Sequence, residues 1–242
     1  MNIVFLMGNA YSTKDDYPLY LTELSSAILL EKQIDMARKL QPRQLIFCVN
    51  SIDIVRFHTD AAIKQLVPDA KIVRIMGHTK GAVCTALLAI EHIENDQELL
   101  LLGIDDFVEE NTIKVLDYFR KNNSDAGLLS FRSIHPRYSF VKLNKNDEVI
   151  EIAEKRPISQ NALVSFYYYS KGFDFVECAK DMVRKDNALD GNFYISETMN
   201  EMLLRQKKIS LYKIKNEQFY SLKTQTQLAE YIAEHKASKG SR

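Results

Sequence analysis

Tryptophan is absent from the 242-residue chain, and proline (5) and glycine (8) are scarce. Without Pro/Gly-rich stretches, repeats or low-complexity tracts there is no linker at which to divide it, so a single domain is expected over residues 1–236, with a frayed tail at 237–242. The three cysteines, Cys48, Cys84 and Cys178, are odd in number, widely spaced and embedded in apolar patterns. That excludes a disulfide framework or a zinc site and reads as core thiols in a reducing compartment. No segment approaches the roughly 20 apolar residues of a membrane span, and the apolar run from Ile3 to Met7 is too short for a signal peptide. Charge of one sign is not in excess either: Lys+Arg and Asp+Glu both total 32. With no global basic field to attract nucleic acid or an anionic membrane, an anionic ligand must be held by local groups. A cytoplasmic protein without nucleic-acid partners is expected, and a homo-oligomer is compatible with all of this.

What is present is ordinary globular composition, 46% hydrophobic and 26% charged, in a chain long enough for a substantial core. Strand-like and helix-like patterns alternate through the first half. "IVFLM" precedes "ELSSAILLEKQIDMARKL", "QLIFCV" precedes "IVRFHTDAAIKQLV", "KIVRIM" precedes "GAVCTALLAIEHI", and "ELLLLGI" precedes "NTIKVLDYFRKN". The strands are continuous apolar runs, as required when helices cover both faces of a sheet. Such alternation predicts an α/β fold with a doubly wound, mostly parallel, Rossmann-like sheet, whose ligands bind beyond the carboxyl ends of the strands. After residue 126 the rhythm changes: "AGLLSFRS" is a fifth strand, and "SFVKLNKNDEVIEIAEK" alternates around "NKND" as a hairpin. "ALVSFYYYS", two helices, the strand "KISLYKI" and a last helix, "QTQLAEYIAEHK", complete a mixed C-terminal half.

The loops to inspect follow the strands. In "LLLLGIDDFVEE" an apolar strand ends in Asp105 and Asp106, carboxylates able to hold a divalent cation and bridge it to phosphates, or else to cap the next helix. Asp105, first after the strand, is the better ligand. Gly77, Lys80 and Gly81 open a helix whose N-terminus favours anions, a weak signal by itself because glycine before a helix is common. "AEKRPIS" places Lys155 and Arg156 beside Pro157, suited to a phosphate or carboxylate or simply to a solvated turn, and His135 and Arg137 in "SIHPRYS" are similar. The tyrosines Tyr167 to Tyr169 are expected to alternate between core and pocket wall, with Tyr168 taken as the wall residue. Glu197, at a helix start, can cap that helix or be a second metal ligand.

Taken together these stretches resemble the sugar-phosphate nucleotidyltransferases of the GT-A type, in the branch linked to bacterial capsule and surface-polysaccharide synthesis, often labelled glycosyltransferase-like. "SIHPRYSFVKLNKNDEVIEIAEKRPIS" is similar to that branch's HPR and EK-x-PIS segments, and "TKGAVCTALLA" and "GFDFVECAKDMVRKDNALDGNFYISETMNEML" match further stretches. The resemblance implies a nucleotide-binding half, residues 1–125, with Gly8, Asn9, Lys80, Gly81 and Asp105 at the nucleotide, and an acceptor-binding half, residues 126–236. His135, Arg137, Lys155, Arg156 and Tyr168 would then face a phosphorylated small-molecule acceptor. It also implies Mg2+ (or Mn2+) on Asp105, with Glu197 near the place of a second acidic ligand, and Asp105, Lys14 and Lys155 as the catalytic set.

Departures from the pattern matter as much. The family's G-x-G-x-R loop is followed by P-K-x-L; here Gly8 and Pro18 are kept, but Ala10, Ser12 and Leu19 stand at the second glycine, the arginine and the lysine. Losing one charge-assisted contact to a developing anion costs about 3–4 kcal/mol of transition-state stabilisation, on the scale of an oxyanion-hole donor. Lys14 alone remains to replace two cations, with Asp15 and Asp16 beside it. "GTPEDL" near the C-terminus becomes "KTQTQL", and the acid of "NGEFY" becomes Asn192. Three readings stay open. The first is an enzyme that transfers a nucleotidyl group from a nucleoside triphosphate to a sugar phosphate; the second is a glycosyltransferase using a preformed nucleotide sugar; the third is a non-catalytic nucleotide-binding or scaffold protein of the same pathway.

Overall fold

The computed structural model describes residues 1–8, 17–24 and 27–239, with side chains as far as His235. β1 (Asn2–Met7) leads through a 3-10 turn (Leu19–Leu21) and the two-residue strands β2 (Glu23–Leu24) and β3 (Ala27–Ile28) into α1 (Leu29–Arg38). β4 (Gln44–Asn50) is followed by α2 (Ser51–Phe57) and α3 (Thr59–Leu66), and β5 (Lys71–Ile75) by α4 (Ala82–Leu87) and α5 (Ile90–Ile93). β6 (Leu99–Gly103) turns into a short β7 (Asp106–Val108) before α6 (Thr112–Lys121). The second half comprises β8 (Ala126–Arg132), the hairpin β9 (Phe140–Leu143) and β10 (Val149–Ala153), and β11 (Asn161–Tyr169). It continues with α7 (Gly172–Arg184), α8 (Ile195–Leu204), β12 (Ile209–Lys213), β13 (Phe219–Ser221) and α9 (Gln225–Lys239).

Nine strands form one sheet in the order β10-β9-β11-β6-β1-β4-β5, with β8 paired to β11 and β12 to β8. β1, β4, β5 and β6 are mutually parallel, β11 runs against β6, and β8 and β12 return to the common direction. This is the expected doubly wound, mostly parallel sheet in a single domain, since one sheet runs unbroken through both halves. The reason for the continuous apolar runs is visible residue by residue. Ile3, Phe5 and Met7 enter one core with Leu100 and Leu102, beneath α1 and α6, whereas Val4 enters the other with Leu99 and Leu101, beneath α4 and α7. Cys48 and Cys178 are buried free thiols pushed up to about 12 by burial, and Cys84 is half-buried and free. Among the described residues no helix is long and apolar enough to cross a membrane.

Three expected helices are shorter than their patterns. The segment from Glu23 begins as the β2–β3 pair before α1. The segment after β4 breaks at His58, which takes the left-handed conformation (φ 52°) and separates α2 from α3. The segment after Gly81 is likewise two short helices. Periodicity alone does not register such breaks, because the apolar face resumes in phase beyond them.

Where α6 crosses the sheet, Phe119 is fully buried and stacks on Tyr168 at a centroid separation of 5.5 Å. A Cβ on Gly127 would lie 2.5 Å from the Phe119 ring, so β8 carries glycine where the ring lies against its backbone. Phe119→Ala is therefore expected to destabilise the fold by about 3–5 kcal/mol, as for buried aromatics that leave a cavity. The check is a urea unfolding midpoint that falls with the slope unchanged.

Candidate active site

A cleft at the carboxyl ends of β1 and β6 has a volume of about 400 Å³. Asp105 and Asp106 line it from the turn after β6, Ser139, Glu154 and Lys155 from the ends of the β9–β10 hairpin, and Tyr194 and Ser196 from the entry to α8. A second hollow of about 220 Å³, lined by Gly8, His78, Thr79 and Thr85, shares Leu6, Gly81, Ala82 and Asn192 with the first. The two are thus continuous over the floor of the sheet.

The acids do not cap a helix. Asn111 caps α6, its side chain accepting from the amides of Ile113 and Lys114, so Asp105 and Asp106 are left for other work. Both are buried, at 4% and 7% exposure. Their backbone is fixed from α1: the buried Gln33 amide donates to the carbonyls of Ile104 (3.1 Å) and Asp106 (3.0 Å). On the other side the Leu222 amide donates to the Asp105 carbonyl at 2.7 Å, and Ser221 pairs with Asp106 in the β7–β13 ladder. One Asp106 oxygen accepts from the Ser165 amide at 3.0 Å, at a register irregularity in β11 between Leu163 and Tyr167. Irregular strands of this kind re-aim side chains beside sites. The other Asp106 oxygen lies 3.3 Å from the ammonium of Lys223.

The acceptor-side wall is polar and closely bonded. Glu154 accepts from the hydroxyls of Ser139 and of Ser196, the latter at 2.7 Å. Tyr167 also borders the cleft, its phenol pushed well above the usual range first by burial and then by the Glu154 charge. Lys155 takes a left-handed backbone conformation (φ 54°), rare for a non-glycine residue and a form of strain that clusters at functional positions. Its ammonium lies 5.0 Å over the Tyr194 ring and 3.6 Å from Asp190, and hydrogen bonding to Tyr194 leads the upward displacement of its pKa. Arg137 lies over the Tyr138 ring (4.7 Å) and donates to its hydroxyl at 2.6 Å.

Of the residues singled out from the sequence, Asp105, Gly81, Arg137 and Lys155 meet at the main cleft, and Gly8 lies on the adjoining hollow. Others sit elsewhere. Tyr168 is a correction: it points into the core beneath α6 and donates to Glu98 at 2.8 Å, and Tyr167, one residue earlier on the alternating strand, takes its place at the wall. Glu197 has both carboxylate oxygens occupied, by the Glu154 amide (2.8 Å) and the Asn200 side chain (2.8 Å), and does not line the cleft; it fastens α8 to the end of β10. His135 is an exposed turn residue whose Nδ1 accepts from the Arg137 amide at 3.2 Å. Arg156 is exposed and paired with Glu151 at 2.9 Å. The Lys80 side chain is exposed, and its carbonyl accepts from the Phe193 amide at 2.8 Å. Asn9 and Lys14 lie outside the described residues.

Gln33, Ser139, Glu154, Ser196 and Lys223 are the site residues that the sequence did not single out. Glu154 adjoins Lys155 in the quoted motif and was within reach of a reading that asked for hydroxyl-binding groups. Lys223 and Gln33 come from segments whose approach to β6 only the tertiary fold determines.

No family model matches this chain. The bifunctional protein GlmU of Buchnera aphidicola subsp. Schizaphis graminum is 23% identical over 224 residues, which is 89% of this chain and 46% of that protein. The chain thus spans about half the length of the curated relative it matches. Among solved structures, the nucleoside-diphosphate-sugar pyrophosphorylase from Vibrio cholerae RC9 superposes with a TM-score of 0.78 at 20% identity, covering 96% of this chain and 100% of that one. UDP-glucose pyrophosphorylase complexed with UDP-glucose gives 0.76 at 11% identity, with 98% of each chain covered. HddC from Yersinia pseudotuberculosis complexed with GMP-PN gives 0.63 at 13%, covering 97% of this chain and 99% of that one. These likenesses define the class of architecture: a GT-A-like, Rossmann-like sheet of the kind found in nucleotide-sugar pyrophosphorylases.

Gln33→Leu removes the amide that satisfies two buried carbonyls. The expected cost is about 1–3 kcal/mol of stability. Thermal melting curves check this; an unchanged melting temperature would show that the turn holds itself.

Proposed function

We propose that this chain is a nucleotidyltransferase that joins a nucleoside triphosphate to a sugar phosphate or similar phosphorylated acceptor, in bacterial capsule or surface-polysaccharide synthesis. One observation carries the reading. In a fold shared with pyrophosphorylases, a single cleft brings the acid that ends β6, Asp105, together with two cations from the opposite half, Lys155 and Arg137. The nucleotide lies over Gly8 and Gly81, where glycine lets backbone come close. The acceptor phosphate lies toward Lys155 and Arg137, and its hydroxyls meet the Glu154, Ser139 and Ser196 wall. An acceptor phosphate oxygen forms a bond to the α-phosphorus while the bond to the β-phosphate bridge breaks in line, and pyrophosphate carries off the electron pair. The residues contribute position and charge, which supply most of the catalysis in such transfers.

Among the described residues no group of three or more carboxylate, imidazole or thiolate side chains converges. Asp105 and Asp106 offer hard oxygen donors at the cleft, which fits Mg2+ or Mn2+ with water or ligand phosphates completing the shell. Asp105 would hold such an ion, which when bound supplies neutralisation of phosphate charge.

The sequence from Gly8 to Leu19 favours a second reading, a transferase of preformed nucleotide sugars, because Ser12 and Leu19 stand where two cations would neutralise a triphosphate. Thermal-shift titrations against nucleoside triphosphates, diphosphates and nucleotide sugars, with and without Mg2+, separate the readings, since a ligand of the native state raises the melting temperature by mass action. Asp105→Ala is expected to abolish the metal-dependent shift while the unliganded protein stays folded, and Lys155→Ala to weaken acceptor use with nucleotide binding little changed. If triphosphates are the substrates, Lys14→Ala cuts turnover about 10²–10³-fold, the scale of one key electrostatic donor. A Lys14→Ala variant with full turnover, and diphosphates bound as well as triphosphates, would instead establish the nucleotide-sugar reading. A chain with no turnover that still binds would be a scaffold.

A further inference from the structure

We propose that Lys223 is the resident cation of the Asp105–Asp106 carboxylate pair, and that a divalent ion enters the pair only by displacing its ammonium. The inference deepens the functional reading, from which it takes only that these acids form a cation site.

The geometry is specific. The Lys223 ammonium lies 3.3 Å from Asp106 Oδ1, on a carboxylate whose side chain is 4% exposed. The position of the lysine is built rather than incidental. Ser221 is in register with Asp106 across β13 and β7, the Leu222 amide donates to the Asp105 carbonyl, and the Lys223 amide donates to Gln227 Oε1 at 3.0 Å. Backbone on both sides of Lys223 is therefore tied to the acids or to α9, and its side chain starts within reach of them.

The competition follows from charge and space. Among the described residues the pair has no third acidic, imidazole or thiol ligand to add to its affinity, and a bound ammonium cancels half of its formal charge. A divalent ion beside that ammonium would meet a like charge in a poorly solvated place, where repulsion is screened least. Displacement is nevertheless open to Lys223. Its side chain is 47% exposed, and its long, flexible stem can carry the ammonium into the cleft, whose wall it already lines. There a ligand phosphate would receive it. Arginine at the same place would keep the charge, whereas methionine would keep the stem and lose it.

Mn2+ alone is the probe, titrated by electron paramagnetic resonance against the wild type, Lys223→Met, Lys223→Arg and the double variant Lys223→Met with Asp105→Asn. Lys223→Met is expected to bind Mn2+ at least tenfold more tightly than the wild type, Lys223→Arg to remain near the wild type, and the double variant to lose the gain. Mn2+ should also raise the melting temperature of Lys223→Met more than that of the wild type, a comparison that holds even if the variant is less stable at the outset. Equal Mn2+ affinity in wild type and Lys223→Met, no measurable binding in either, or a gain that survives Asp105→Asn would each overturn the proposal. Failure of the functional reading registers separately, as a nucleotide titration without response whatever the Mn2+ result.

Discussion

Two successive acids buried just past the end of an apolar strand set the terms for everything around them. Buried charge is tolerated only when paired or fully hydrogen-bonded, and for Asp106 the neighbouring elements supply that compensation. Gln33 from α1 fixes the backbone of the turn, the Ser165 amide from β11 binds one Asp106 oxygen, and the segment after β13 brings a lysine to the other. Elements from the N-terminal, middle and C-terminal parts of the chain are thus drawn to one point. The short β7–β13 pairing, outside the main sheet, exists in the same place and delivers the C-terminal segment to it.

The opposite wall obeys a similar rule with a different result. Glu154 is half-buried and its carboxylate is held by two serine hydroxyls rather than by a cation. Its backbone is held by Glu197. An acid supported this way keeps its orientation and remains an acceptor for further hydroxyls. The cationic groups, Lys155 and Arg137, sit further out against the rings of Tyr194 and Tyr138. Hydroxyl-bearing and acidic groups thus lie within the cleft and cationic groups at its rim.

Much of the fold was legible because the physics is local. Continuous apolar runs required a two-faced sheet, and alternation around Asn144 to Asp147 required the hairpin that β9 and β10 form. Placement at the cleft was legible only where it depends on a residue's own strand end, as for Asp105 and Lys155. It was illegible where the role depends on which oxygen faces which element. Tyr168 and Tyr167 differ by one step along a strand, and that step moves a ring from the cleft to the opposite core. Glu197 looked like a ligand because an acid at a helix start is equally a ligand and a fastener. Lys223 carried no signal, since a lysine after a strand is commonplace until the strand is seen to lie against the acids.

The crossing beneath Gly81 has a mechanical consequence. Its Cβ, were there one, would lie 2.6 Å from the Phe193 carbonyl oxygen, and reciprocal backbone hydrogen bonds join the two segments there: Phe193 donates to Lys80 at 2.8 Å and Val83 to Phe193 at 3.1 Å. The loop from β5 and the loop before α8 are thereby riveted together at the floor of the cleft. The floor cannot yawn open like a jaw without breaking main-chain bonds, so the gauge between these two loops is set by the backbone itself and not by any side chain.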